Sequence, residues 1–279
     1  MQNICKNLLI VNTLLELLVH FDIILIQKPL WSKIRKIPST SNCEGEPLMG
    51  SNHHPNWISF ARITLDNKDF SRVITYINIR LSPLCFLLCK DIINYRDISL
   101  ISFFNNNICY YILNVYSDSS YLALKYLKDT EVNIDNVVLM TGDFNIRDSL
   151  WNLSFPFHSS ISNDLIITAD SFNLTLFNPT NPCLTRYSDM AGESNSVIDL
   201  MFLWYRLSEL DHHSILPESR LSSDHTPLSV NIPIVEEIIQ TLKLTLAPKS
   251  NQESNFIKDI ISNFKFLDTT NIEDISQLE

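Results

Sequence analysis

Val137-Val138-Leu139-Met140-Thr141 is a continuous apolar run that ends in Gly142-Asp143-Phe144-Asn145. A run with no polar face suits a strand covered on both sides, as in the middle of a layered α/β domain. Immediately after it come a glycine, a carboxylate and an amide. Groups at the end of a strand on a rigid sheet are held within the tolerance that catalysis demands. The stretch therefore predicts both a buried strand and a site at its mouth.

Upstream, residues 97–104 and 108–116 are apolar runs separated by Asn105-Asn106-Asn107, which predicts a hairpin. Residues 119–130 show helical spacing through Leu122, Leu124 and Leu127. At the start of the chain, Leu8, Leu9, Val11, Leu14, Leu15, Leu18 and Val19 recur every three or four positions, predicting a helix over about 7–19. A buried strand over 22–26 follows and stops at Gln27-Lys28-Pro29. This apolar region is interrupted by Asn12, Glu16, His20 and Asp22, and it lacks a charged leader and a small-residue cleavage site. It reads as core, with no targeting segment.

Residues 31–56, with Pro38, Gly45, Pro47, Gly50 and Pro55, read as a long surface loop. Strands are expected over 57–65 and 72–79. Downstream, a helix is expected over 160–172 and short strands near 174–177, 183–187, 197–203 and 227–234. Beyond about 235 the composition turns polar and acidic, with an amphipathic helix expected near 253–266.

The chain of 279 residues carries a net charge of −10, of which residues 231–279 contribute −4. Such a balance disfavours non-specific DNA binding driven by phosphate neutralisation alone. Only four glycines occur, and no Gly-rich phosphate loop is among them. The six cysteines include no Cys-x-x-Cys pair, so they read as reduced thiols rather than zinc ligands, with Cys85 and Cys89 as core residues.

Three polar clusters open or close strands: Gly142-Asp143-Phe144-Asn145, Ser196-Val197-Ile198-Asp199 and Ser223-Asp224-His225. Singly, each reads equally well as a turn, a capping box or a surface pair. Together, in this order, they resemble the endonuclease/exonuclease/phosphatase family over about residues 2–230. The likeness is closer still to endonuclease domains of fungal LINE-type, non-LTR retrotransposons. It is carried by Ser39-Thr40-Ser41, Glu44-Gly45-Glu46-Pro47-Leu48, residues 52–57, Arg96-Asp97-Ile98, Asn114-Val115-Tyr116-Ser117 and residues 142–151.

The resemblance implies a four-layer α/β sandwich, with two mainly antiparallel sheets face to face and helices outside. It implies a domain over 1–234, abbreviated at its N-terminus, and a tail over 235–279 leading towards a reverse transcriptase. The implied activity is Mg²⁺- or Mn²⁺-dependent nicking of DNA inside the cell, in the nucleus for the parent element. His225 would contact the scissile phosphate or act as base, oriented by Asp199. Asp143 would position the attacking water, and Asn145 and Tyr116 would donate to the phosphate. Asp224 and Asn3 would lie on the metal side. Lys33, Arg35 and Arg147 would reach flanking phosphates, while Trp151 reads as a packing anchor and His53-His54 and His212-His213 as solvated loop pairs.

One position departs from the family. Where the family carries a metal-binding Glu after Gln at the end of an early strand, this chain reads Ile26-Gln27-Lys28-Pro29. A unit charge about 4 Å from a dication, at an effective dielectric near 20, meets roughly 8 kcal/mol of repulsion. The expectation is weakened metal binding and a degenerate copy. Inositol-phosphate or sphingolipid phosphodiesterases of the same fold and an inactive nucleic-acid-binding remnant are the competing readings.

Overall fold

The structure is a computed structural model that describes residues 1–37, 46–62, 70–130, 134–152, 155–177, 184–188, 194–207, 213–216, 220–221, 223–232 and 258. Residues 1–235 form one compact unit and 236–279 a second; the helix expected over 253–266 lies outside the described residues except at 258.

In chain order the elements are β1 (Gln2–Asn3), α1 (Leu8–Leu17), β2 (Ile23–Gln27), β3 (Ser32–Ile37), β4 (Glu46–Gly50), β5 (Trp57–Phe60) and β6 (Val73–Asn78). A 3-10 helix (Ile79–Leu84) leads to β7 (Leu87–Leu88), β8 (Ile98–Asn105), β9 (Ile108–Tyr116), α2 (Leu122–Asp129) and β10 (Val137–Asp143). Then come α3 (Ser160–Ser171), β11 (Leu174–Leu176), β12 (Asp199–Trp204), β13 (His213–Ile215) and β14 (Leu228–Val230).

One sheet has the order β1-β2-β6-β5 and the other β11-β12-β10-β9-β8-β7. Both are mixed: β1 runs parallel to β2, and β9 parallel to β10, while the other pairs are antiparallel. The expected sandwich is present. Ile10, Val11, Leu14 and Leu15 of α1 pack on Ile24, Ile26, Ile74 and Tyr76 of the smaller sheet. The other face of that sheet, with Leu25 and Ile77, meets Ile101, Phe103, Ile112, Val138 and Met201 of the larger one. The far face of the larger sheet, with Leu113, Met140 and Phe202, is covered by α2 and α3 through Leu124, Leu127 and Leu165. Every residue of β10 is buried, as its apolar run requires.

A polar strut crosses between the sheets. Gln27 Nε2 donates to Asn114 Oδ1 at 2.6 Å, and Asn114 Nδ2 donates to the Ile74 carbonyl at 3.0 Å. Both side chains are buried, so each bond replaces water that the interior excludes.

Several local expectations are corrected. The stretch 31–56 holds the β3–β4 ribbon, whose antiparallel pairing its prolines and glycines do not prevent. Residues 183–187 make no strand among the described residues; Arg186 forms isolated bridges to Ser196 and His225 instead. Cys85 is exposed and Cys89 only half-buried, because Cys85 ends the 3-10 helix in a left-handed conformation, φ 51°, rather than facing inward from an α-helix. His54 is buried, with its Nε2 3.3 Å from Glu16 of α1, and is not a solvated loop residue. Among the described residues, no helix is long and apolar enough to cross a membrane.

Candidate active site

Strand register assembles the site. Asp143, the last residue of β10, pairs with Tyr116 at the end of β9 on one side and with Asp199 at the start of β12 on the other. Three side chains far apart in sequence thus stand in one row at the edge of the larger sheet. Gly142 sits beside them because nothing larger fits: a Cβ there would meet the Val115 carbonyl oxygen at 1.8 Å.

His225 reaches this row from the loop before β14. Its Nδ1 lies 2.8 Å from Asp199 Oδ2. Asp199 is itself placed by Thr185, whose hydroxyl oxygen accepts from the backbone N–H groups of Ile198 and Asp199 at 3.0 Å each. The turn carrying His225 is tied to β1: Ser223 Oγ donates to the Asn3 carbonyl at 2.8 Å, and Gln2 Nε2 donates to the His225 carbonyl at 3.2 Å. Asn3 is fully buried and donates from Nδ2 to Asp143 Oδ2 at 2.7 Å. The same nitrogen lies 3.3 Å from His225 Nε2.

Electrostatics follow from this packing. Burial disfavours charge on His225, but the carboxylates of Asp199, Asp143 and Asp224 outweigh it and push the imidazole up to about 9. Burial and the Asp199 charge push Asp143 up to about 6, against the pull of His225, Lys28 and Asn3. Asp224 is held below the ordinary carboxylate range: burial opposes this, and His225, Cys5 and Arg186 prevail.

The opposite bank comes from the smaller sheet. Lys28 follows β2 with φ 49°, a left-handed turn fixed by backbone bonds from Lys28 N to the Arg72 carbonyl (2.7 Å) and from Lys6 N to the Lys28 carbonyl (2.9 Å). Its ammonium lies 5.0 Å from the centre of the Tyr116 ring. The Arg72 guanidinium lies 4.7 Å from the same centre, so two cations flank one phenol. Burial lowers the Lys28 pKa, but Tyr116 and Asp143 override it and the ammonium stays charged. Arg72 is held in turn by the carboxylates of Asp97 and Asp118.

Asn145 adopts φ 53°, which asparagine tolerates better than most residues, and its Nδ2 donates to the Ser117 carbonyl at 2.6 Å. Asp224 stands at the rim, with Oδ1 3.8 Å from His225 Nε2. Asn3, Lys28, Tyr116, Asp143, Asp199, Asp224 and His225 are thus brought to one place. Arg147 instead runs to Ser194, with its Nη1 3.3 Å from Ser194 Oγ. The side chains of Lys33 and Arg35, on β3, lie outside the described residues. Trp151 is buried in the core under α2 and α3. A separate cavity of about 440 Å³ lies between the sheets, lined chiefly by apolar side chains such as Leu25, Phe103 and Met201 and by none of these charged groups.

Residues 99–229 match the family model described as endonuclease-reverse transcriptase. The solved endonuclease domain of TRAS1, a telomere-specific non-LTR retrotransposon, matches over 84% of this chain and 97% of its own, with a TM-score of 0.56 at 15% identity. The chain has the endonuclease/exonuclease/phosphatase fold. Two structures of D. rerio TDP2, one humanized and one complexed with single strand DNA product, match more loosely. They cover 81% and 77% of this chain and 91% and 84% of their own, at 10% and 11% identity, with TM-scores of 0.43 and 0.40. No curated protein matches the chain.

Among the described residues, two groups of side chains could hold a metal ion: Cys5, Asp224 and His225, and Asp143, Asp199 and His225. Sequence reading did not single out Thr185, Arg72 or Cys5. Thr185 and Arg72 act through partners 14 and 25 residues away, and a lone cysteine carries no pattern.

Proposed function

We propose that this domain is the DNA-nicking endonuclease of a retroelement, in a copy whose hydrolysis is impaired by Lys28. The observation that carries the reading is the row Tyr116, Asp143 and Asp199 with His225 locked against it and an ammonium opposite. On this reading His225 contacts the scissile phosphate or takes a proton from water, with Asp199 holding its ring. Asp143 positions the attacking water, while Asn145 and Tyr116 donate to phosphate oxygens. Arg147, Lys33 and Arg35 neutralise flanking phosphates and carry no sequence information. Residues 235–279 lead towards a reverse transcriptase in the parent element, which works in the nucleus.

The residues at the end of β2 do not fit a hard cation such as Mg²⁺ or Mn²⁺, which is held by several oxygens. Here the carboxylates of Asp143 and Asp224 already face the charges of Lys28, His225 and Arg186. An ammonium offsets phosphate charge but cannot acidify a bound water as a dication does. The domain should therefore retain DNA better than it cuts it.

Plasmid nicking in Mg²⁺ tests this. Lys28→Glu protein should nick about 100-fold faster than the native chain, the scale on which removal of one key electrostatic group acts. Equal rates for the two would overturn the impairment. The second reading, a non-catalytic remnant, is also motivated by Lys28. It predicts that Lys28→Glu recovers Mg²⁺ binding in calorimetry and still does not nick.

A further inference from the structure

The cavity between the sheets is walled by two strand edges as well as by apolar side chains. β1 lies between β2 and β14. It pairs with β2 only at Ile26 and Gln27, and the Leu228 N–H of β14 donates to the Met1 carbonyl at 3.0 Å. Past these contacts both β2, with Ile23, and β14, with Val230, line the cavity.

Hydrogen-bond alternation shows which backbone groups face it. On the β1 side, the Gln27 carbonyl accepts from Ile4 N–H at 3.2 Å. On the β6 side, the Asp22 carbonyl accepts from Asn78 N–H at 2.9 Å and Lys28 N–H donates to the Arg72 carbonyl at 2.7 Å. Successive residues of a strand alternate between edges, so the N–H and carbonyl of Ile23 face away from β6, along the same edge as Gln27. On β14, the Pro227 carbonyl bonds towards β13 through Leu216 N–H at 3.0 Å, and Leu228 bonds towards β1. Val230 therefore shares the Leu228 edge. Among the described residues, neither Ile23 nor Val230 has a strand partner on these edges.

Unpaired N–H and carbonyl groups on a strand edge are a template for another chain. Separated by β1, the strands β2 and β14 stand two strand spacings apart, about 9–10 Å, which admits one extended chain. The run from Leu228 to Ile232 offers that chain about 13 Å, or roughly four residues. Leu14 and Leu18 line one side of the cavity and Phe103 and Met201 the other. A strand covered on both faces calls for apolar side chains throughout.

We propose that this cavity is a docking slot for an extended apolar segment of a partner polypeptide, which adds as a strand parallel to β2 and antiparallel to β14. The segment lies in line with β1 and joins the β13–β14 pair to the smaller sheet. Main-chain bonds supply its affinity, and the apolar walls select its side chains. Asn3, which donates to Asp143, belongs to β1, so the docked strand also braces the active-site end. The slot stands on backbone geometry and does not rest on the nuclease reading.

The test is fluorescence anisotropy of the full chain with a labelled, capped peptide of alternating valine and isoleucine between terminal lysines. It should bind at one equivalent, and amide hydrogen exchange should slow across residues 21–25 and 228–232. Val230→Pro removes an N–H from one bank and Ile23→Pro, at the first position of its strand, removes one from the other. With circular dichroism unchanged, each should weaken the peptide about fivefold, the scale of one hydrogen bond. Methylating alternate backbone nitrogens of the peptide, which blocks one of its edges, should weaken it further. No peptide binding, equal binding of the methylated peptide, or binding that neither proline variant weakens would each overturn the slot. Because the readout is peptide binding, its outcome is independent of whether Lys28→Glu protein nicks DNA.

Discussion

Asp143, Asp199 and His225 are buried on every side, whereas Lys28 and Cys5, on the opposite bank of the same pocket, reach solvent. The first bank is a closed set of bonds. Asp199 holds His225, Thr185 holds Asp199, and Asn3 holds Asp143. The second bank is set by backbone: Lys28 is placed by its own N–H and carbonyl, whatever side chain it carries. Removing one member of a buried ion network strands the charge of its partner, and folding itself resists that change. A half-buried side chain at a strand end, placed by its backbone bonds, can change at little cost to the fold.

The largest effect is expected in the closed bank. Asp199→Ala should take from His225 its one hydrogen-bonded carboxylate among the described residues and destabilise the domain by about 3–5 kcal/mol in urea unfolding. A loss below about 1 kcal/mol would show that the bank is not a coupled unit.

Next comes pH. His225 has a folded pKa of about 9 against an ordinary 6.5, so its contribution is complete below about 6.5 and disappears as pH rises through 9. Asp143, raised from 3.8 to about 6, acts in the same sense at lower pH, since its buried carboxylate is charged at a cost above 6. Thermal unfolding should show stability falling between pH 6.5 and 9, by on the order of 3 kcal/mol for His225. In Asp199→Asn the fall should be shallower; an unchanged slope would remove His225 as its source.

The smallest effect belongs to the open bank. Lys28→Met removes one of two cations beside Tyr116 and should change stability by less than about 1 kcal/mol. A loss as large as that of Asp199→Ala would erase the contrast between the banks.

The elements whose apolar periodicity is strong were legible in the sequence. The α1 helix, the β8–β9 hairpin and β10 fall within a few residues of their expected bounds, because burial of one face or two leaves a pattern along the chain. The β3–β4 ribbon was not legible, since the prolines and glycines scattered through residues 31–56 read locally as a loop. Strands at 183–187 were expected and the chain instead makes single bridges there, which local propensity cannot distinguish from a strand. Cys85 was read as a core residue and is exposed, because the chain ends a 3-10 helix there in a left-handed conformation that no spacing of cysteines announces.

By itself the sequence determined the polar clusters that carry Asp143, Asp199 and His225 and the lysine that follows Gln27, since each lies inside a local run of residues. Tertiary structure alone decided that Tyr116, Asp143 and Asp199 share one row, that Asn3 bonds to a carboxylate 140 residues away, and that the Cys5 thiol meets Asp224 across 219. Such meetings depend on strand register and on which sheet face lies inward. Those are properties of how the whole domain packs, and no stretch of chain carries them.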